Sequence, residues 1–338
     1  MRVAQIAFAL FALAVVDASA QSNDQFYAGK RINIVVGSAA GSGYDAYARL
    51  LGRHIGRHIA GAPTITVQNM PGGGGLTAAN YLYNVAPNDG TVIGSIQRGL
   101  LISPWVMPEG VKYDVQKIAW IGSTNAETGV VAAWHTAPQK TIADLAATPL
   151  IVGGSGPQTD SETTPRAYAK ILGLKFRIVS GYESTGPILL AMERGEVHGI
   201  GNSSWSNWTT SFAHYLKENK VNILMQSGLE PNPELPGVPL ALDLAKTPQA
   251  RAALELLLTP NKIGRPFAAP PRTPETRVAI LRNAFDATMS DPAFLAEAKS
   301  QNMEISPTNG AFIEAMASKL KDLPSETTQL AREAIKPD

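Results

Sequence analysis

Three times in this chain a short run of aliphatic and β-branched residues passes directly into a glycine- and serine-rich turn and then into a helical period. The runs are INIVVGSAAGSGYD at 32–45, ITVQNMPGGGG at 65–75 and LIVGGSGPQTDS at 150–161. Strand, turn and helix repeated in this order build a largely parallel sheet with helices over its faces, so the expected fold class is α/β. The pattern predicts strands at 32–36, 64–68, 91–96, 130–134, 150–153, 175–179 and 221–226, and helices at 44–59, 76–86, 164–172 and 187–194. In such sheets ligands sit beyond the carboxyl ends of the strands, where the next helix presents unpaired N–H groups and a partial positive charge. Glycine lets the backbone approach closely and adopt positive φ. The three turns are therefore candidate anion sites that need no arginine.

From about Pro231 the pattern changes. A proline-rich connector, EPNPELPGVP, precedes helices with little strand signal. Thr247-Pro248, Thr273-Pro274 and Asp291-Pro292 each place a capping side chain before a proline, which is tolerated at a first helical position. Phe312, Met316 and Leu320 mark an apolar stripe on the last expected helix.

The first twenty residues read as an export signal, with Arg2, an apolar run at 6–16 and the small residues Ala18-Ser19-Ala20, and cleavage is expected after Ala20. Eleven apolar residues are too few for a bilayer that needs about 20. Removing this segment leaves 318 of the 338 residues, a length that suggests two domains, and lowers the 29 basic and 28 acidic residues to 28 and 27. A balanced charge without long runs of one sign argues against nucleic acid as a partner. The absence of cysteine excludes disulfides, thiolate metal sites, a cysteine nucleophile and a lipid-modified N-terminus.

The first turn also contains Gly41-x-Gly43-x-x-Ala46, the alanine form of a dinucleotide fingerprint. The acid that should follow at the end of the second strand is replaced by Gln68-Asn69, which leaves an exported NAD-dependent oxidoreductase as a remote alternative. His54 and His58 have a metal-clamp spacing, but they are interleaved with Arg53 and Arg57, whose like charge disfavours a bound cation, so a solvated basic face is the better reading and no metal is expected. Ser155, Ser203 and Ser204 lack a nucleophile-elbow pattern, and no catalytic set emerges. Asp45 reads as a helix-start residue or a ligand-ordering acceptor. Trp205 and Trp208 fit either ligand stacking or core packing. Arg98 fits a carboxylate contact or a surface loop, and Tyr182, before Ser184-Thr185-Gly186, offers a hydroxyl to a cleft.

Taken in order, GSGYDAYARLL (41–51), QNMPGGGGLTAANYL (68–82), APNDGTVIG (86–94), KTIADLAATPLIVGGSG (140–156), GYESTGPILLAMERGEVHG (181–199), NPELPGVP (232–239), GRPFAAPPRTPETRVAILRNAF (264–285) and DPAFLAEAKSQNMEI (291–305) resemble the substrate-binding proteins of tripartite tricarboxylate transporters, the Bug or TctC-like receptors. The resemblance implies a type II periplasmic binding protein fold, two α/β domains joined by two crossover strands and closing over a ligand cleft. Domain I is expected at 24–125 with 227–338, and domain II at 126–226, with crossings near Asn125 and Gln226. It further implies that Gly43, Tyr44, Asp45, Gly74, Gly75, Ser155, Gly156 and Ser161 surround a ligand carboxylate, with Tyr182 and Thr185 closing it from domain II. The implied activity is receptor rather than enzyme. A monomer without cofactor would bind a di- or tricarboxylate, acidic amino acid or aromatic acid in the periplasm and deliver it to membrane permease subunits. A ligand-sensing subunit for a membrane kinase is the alternative. Ser42, where the family loop usually has glycine, and His198, where many members have aspartate, are departures that bear on ligand identity.

Overall fold

The computed structural model describes residues 26–157 and 159–337. The export segment and its cleavage point lie outside the described residues. Eleven strands are formed among them: β1 Arg31–Val36, β2 Thr64–Asn69, β3 Val92–Ser95, β4 Ala119–Ser123, β5 Gly129–Trp134, β6 Leu150–Gly154, β7 Phe176–Ser180, β8 Gly199–Ser204, β9 Val221–Ser227, β10 Pro266–Ala269 and β11 Thr308–Asn309. They make two sheets, ordered β11-β4-β10-β3-β1-β2 and β7-β6-β8-β5-β9.

Each sheet is buried on both faces, as the period-two geometry of a strand requires when helices cover both sides. In β1, Ile32, Ile34 and Val36 enter one core with Leu50, Ile121, Phe267 and Phe285, while Val35 enters the opposite core with Leu82, Trp120 and Ala268. In the second sheet Val130 and Ala132 pack with Ile188, Ile200 and Trp208, and Val131 and Ala133 pack with Leu150, Val152 and Leu254. Trp208 is fully buried and Trp205 nearly so, which assigns both to packing.

The α/β class holds, and all seven expected strands are present within a residue or two. The sheets are mixed rather than largely parallel. β1 runs parallel to β2 and β3, and β6 to β7 and β8, but β10 opposes β3 and β4, and β5 opposes β8 and β9. β5 and β10 are each the first strand laid down after the chain passes between the sheets. They enter from the junction and so run against strands whose carboxyl ends point there.

Four strands were not foreseen. β8, GIGNSS, is buried at every residue, yet its composition imitates a turn. Its glycines serve packing: a Cβ at Gly199 would lie 2.5 Å from the Ala132 carbonyl, and one at Gly201 would lie 2.6 Å from Pro165. β4, β10 and β11 are short, and proline flanks β10.

Helix boundaries also moved. The helix expected at 164–172 spans Asp160–Leu172 with Pro165 inside it, which brings Asp160 and Ser161 into its first turn. Thr247 and Asp291 cap as expected, through Ala250 N (3.1 Å) and Ala293 N (2.8 Å). Thr273 instead donates its hydroxyl to the Pro270 carbonyl at 2.8 Å. The stripe at 312, 316 and 320 is only partly realised: Leu320 is buried and Met316 half-buried, but Ile313 and Ala317 share the buried face while Phe312 is exposed, and a further helix, Ser325–Ile335, follows. No helix among the described residues is long and apolar enough to cross a membrane.

Phe267 has no exposed surface and joins β10 to the core around Phe285. Phe267→Ala is expected to cost about 3–5 kcal/mol, seen as a lowered urea midpoint with the slope unchanged.

Candidate functional site

The carboxyl ends of β1, β2, β3, β6, β7 and β8 converge on one cleft of about 330 Å³, and the residues just beyond them form its walls. This is where an open α/β sheet leaves backbone N–H groups for a ligand. Arg265, one residue before the antiparallel β10, reaches the same place from the strand's amino end.

In the first loop Ser42 caps the helix Gly43–His54 by accepting from Asp45 N at 3.3 Å, and its hydroxyl lies 2.6 Å from that of Ser38. Asp45 points away from the cleft and is 3% exposed. Its carboxylate accepts from Gly41 N (2.9 Å), Asn69 Nδ2 (2.9 Å) and Arg49 Nε (3.0 Å), so it fixes the loop to the end of β2. Burial works to raise its pKa, but the Arg49, Gly41 and Asn69 contacts outweigh this and hold it below the ordinary carboxylate value. In the second loop Gly72, Gly73, Gly74 and Gly75 all have positive φ, 138°, 54°, 63° and 95°, a run that side-chain-bearing residues resist.

The third loop is held by hydroxyls and one acid. Ser161 Oγ accepts from Ser155 N at 3.0 Å and lies 2.9 Å from Thr159 Oγ1. Gly156 N donates to Glu162 Oε1 at 2.9 Å, and Glu162 is itself paired with Arg166 at 2.5 Å.

Of the residues expected to surround a ligand, Gly43, Tyr44, Gly74, Gly75, Ser155, Ser161 and Thr185 line the cleft. Asp45, Gly156 and Tyr182 do not. The first is turned inward as a brace, the second gives its N–H to Glu162, and the third lies half-buried against the core of Ile188 and Ile200.

Two arginines complete the cleft: Arg98, which the sequence left open between a carboxylate contact and a surface loop, and Arg265, which it missed. Arg98, 4% exposed, donates its backbone N–H to the Tyr44 hydroxyl (3.0 Å), its Nη1 to Ser204 Oγ (3.4 Å), and pairs through Nη2 with Asp160. Burial disfavours its charge, but Asp160, Tyr44 and Glu127 more than compensate and raise its pKa. Arg265, 1% exposed, lies with its guanidinium carbon 4.7 Å from the Tyr44 ring centroid, and its Nη2 is 3.4 Å from both Ser204 Oγ and Glu127 Oε2. Its Nε has no hydrogen-bond partner. Ser204 thus stands between two buried guanidinium groups. No sequence signal marked Arg265, which sits in a Gly-Arg-Pro step; the apolar run before Arg98 was the one clue to its partner.

The His54 and His58 face is more than solvated surface. His54 Nε2 meets Glu297 at 2.5 Å and His58 Nε2 meets Asp291 at 2.8 Å, joining the end of the helix Gly43–His54 and the 3-10 turn Ile55–His58 to the helix Pro292–Ser300 and its cap. Among the described residues no group of acids and histidines is arranged to hold a metal ion.

Glu127→Gln leaves Arg265 buried beside a neutral amide, and is expected to cost about 3–5 kcal/mol in urea denaturation. Asp45→Ala is expected to cost about 1–3 kcal/mol at neutral pH. Because the folded-state pKa of Asp45 is depressed, its stabilisation is present above the unfolded carboxylate value and is lost as pH falls through the folded one. The difference from wild type therefore shrinks on acidification; an undiminished difference at the lowest pH that keeps both proteins folded would refute the brace.

Residues 48–319 match the model of the tripartite tricarboxylate transporter family receptor. The chain is 26% identical over 248 residues, 71% of its length and 72% of the relative's, to the UPF0065 protein in gbd 5'region of Cupriavidus necator. Among solved structures it resembles the periplasmic binding protein BugD, with TM-score 0.71 and 20% identity, covering 91% of this chain and 98% of that one. It also resembles MatC from Rhodopseudomonas palustris with bound malate, with TM-score 0.67 and 21% identity over 90% and 99%. These folds are two-domain binding proteins, and the family is one of receptors rather than enzymes. Two mixed sheets meeting at a cleft of strand ends, together with the match over most of the chain, show that the protein belongs to the tripartite tricarboxylate transporter receptor family.

Proposed function

We propose that the protein is exported to the periplasm, captures a small carboxylate in this cleft as a monomer, and delivers it to the membrane subunits of a tripartite tricarboxylate-type transporter. The observation that carries the reading is Ser204 between two buried guanidiniums, where the carboxyl ends of both sheets' strands meet. Such a place favours an anion through fixed dipoles and charge-assisted hydrogen bonds. The malate bound by the related MatC supports a small carboxylate as the ligand; the range of di- and tricarboxylates, acidic amino acids and aromatic acids is what the family resemblance implies.

In this reading Gly43, Tyr44, Gly74, Gly75, Ser155, Ser161 and Thr185 contact the ligand directly or through water, and Asp45, Gly156 and Tyr182 support them from behind. The lobes close about two adjacent segments. Gly264 N donates to Asn125 O at 2.8 Å, and Glu127 N to Asn261 O at 2.7 Å. Leu240, Leu242, Leu254 and Leu258 pack on the second sheet. That packing supports a return crossing at 261–265 rather than at Gln226, with the outward crossing near Asn125 as expected.

The test is a thermal-shift screen of residues 21–338 against small carboxylates, with NAD and sugars as controls. A ligand at 100 times its dissociation constant adds about 2.7 kcal/mol of stability. A shift with one class of acid and none with NAD is expected; stabilisation by NAD or a sugar alone overturns the reading.

A further inference from the structure

The charge inventory of the cleft removes the di- and tricarboxylates from the range of small carboxylates given above. Among the described residues, four charged side chains line it: Arg98, Arg265, Asp160 and Glu183. Both cations already face carboxylates. Arg265 is matched by Glu127 in a pair whose side chains are each 2% exposed, and Arg98 is matched by Asp160. With Glu127 counted, three carboxylates stand against two guanidiniums, so the cleft carries no surplus positive charge for a polyanion.

The two pairs differ in their exposure. Glu127 is enclosed, its oxygens taken by Ser206 N (3.2 Å), Ser206 Oγ (2.6 Å) and Thr128 N (3.2 Å). Asp160, on the first turn of its helix, leaves 41% of its side chain exposed, while its partner Arg98 is 5% exposed. A carboxylate in that position offers acceptor lone pairs to whatever fills the cleft. It also repels a second ligand carboxylate, since like charges a few ångströms apart in a partly dry site disfavour ionisation of both.

On the other side of the Arg98–Asp160 pair lies a smaller cavity with mostly apolar walls, including Ile102, Val106, Ala167 and Leu254. It offers no compensating cation, because among the described residues the only one on its wall is Arg98 itself. The glycine loops and the helix that starts at Gly43 supply for one carboxylate what the arginines do not supply for two.

Resting on the carboxylate-receptor reading above, we propose that Asp160 is a specificity-determining residue: the cleft selects an acid with one carboxylate and a hydrogen-bond donor at its other end, and rejects the matched dicarboxylate. The donor, a hydroxyl or an ammonium, faces Asp160.

The experiment is calorimetric titration of the mature protein with length-matched pairs of acids. The pairs are 4-hydroxybutyrate or 4-aminobutyrate against succinate, 6-hydroxyhexanoate or 6-aminohexanoate against adipate, and 4-hydroxybenzoate against terephthalate. In whichever pair binds, the monoacid is expected at least tenfold tighter, and Asp160→Asn is expected to remove or reverse that preference. Asp160→Glu, which keeps the charge, is expected to preserve it. Tighter binding of the dicarboxylate by wild type overturns the proposal, as does an unchanged ratio in a folded Asp160→Asn protein. Should Asp160→Asn fail to fold, the wild-type ranking and Asp160→Glu decide the matter. Binding of no carboxylate at all overturns the receptor reading instead.

Discussion

A guanidinium with one per cent of its surface exposed has to be neutralised where it lies, and Arg265 is neutralised across the junction of the two sheets. Its counter-ion, Glu127, stands between β4 and β5, where the chain leaves the first sheet for the second. Its hydroxyl neighbours Ser204 and Ser206 come from the end of β8 and the short helix after it. Its ring neighbours Tyr44 and Tyr47 belong to the helix after β1. One buried charge therefore sets the relative placement of the elements that make the cleft. Desolvation of such a pair is costly and is offset only by good geometry and additional hydrogen bonds, which explains why so many separate elements converge on it.

The loops that face this charge are built by a common device. In the first and third loops an acid in the opening turn of the following helix reaches back to a glycine N–H, Asp45 to Gly41 and Glu162 to Gly156. Each acid then pairs with an arginine one turn further on, Arg49 or Arg166. The arrangement resembles a capping box extended into the loop. It rigidifies the turn while keeping the acid's charge off the cleft wall, so an anion can approach the backbone without meeting a like charge. Asp160 is the exception: it lies in the same first turn as Glu162 but on the wall.

The strand positions were legible because short alternating or continuous aliphatic runs bounded by turn residues match the length and period of a strand. β8 was not legible, since glycine and serine in a central strand are selected by neighbours that approach from other parts of the chain, Ala132 and Pro165 among them. The same holds for the site. Glycine-rich turns could be placed on a cleft from local pattern alone, and seven of the residues expected there line it. Asp45 looked like a ligand contact because its position at the helix start is visible in sequence, whereas the inward turn of its side chain depends on Asn69 and Arg49.

By itself the sequence determined the class of fold, the places where strands end in anion-friendly turns, and the resemblance to a receptor family, because each is carried by short-range periodicity or by motifs in order. Tertiary structure alone decided which charges reach the cleft. Arg98 and Arg265 are 167 residues apart in the chain, and both lie within 3.4 Å of one serine hydroxyl only because the carboxyl ends of β3 and β8 and the amino end of β10 meet at the junction. Long-range juxtaposition of this kind leaves no periodic trace, since it depends on how the sheets are ordered and not on what stands next to each residue.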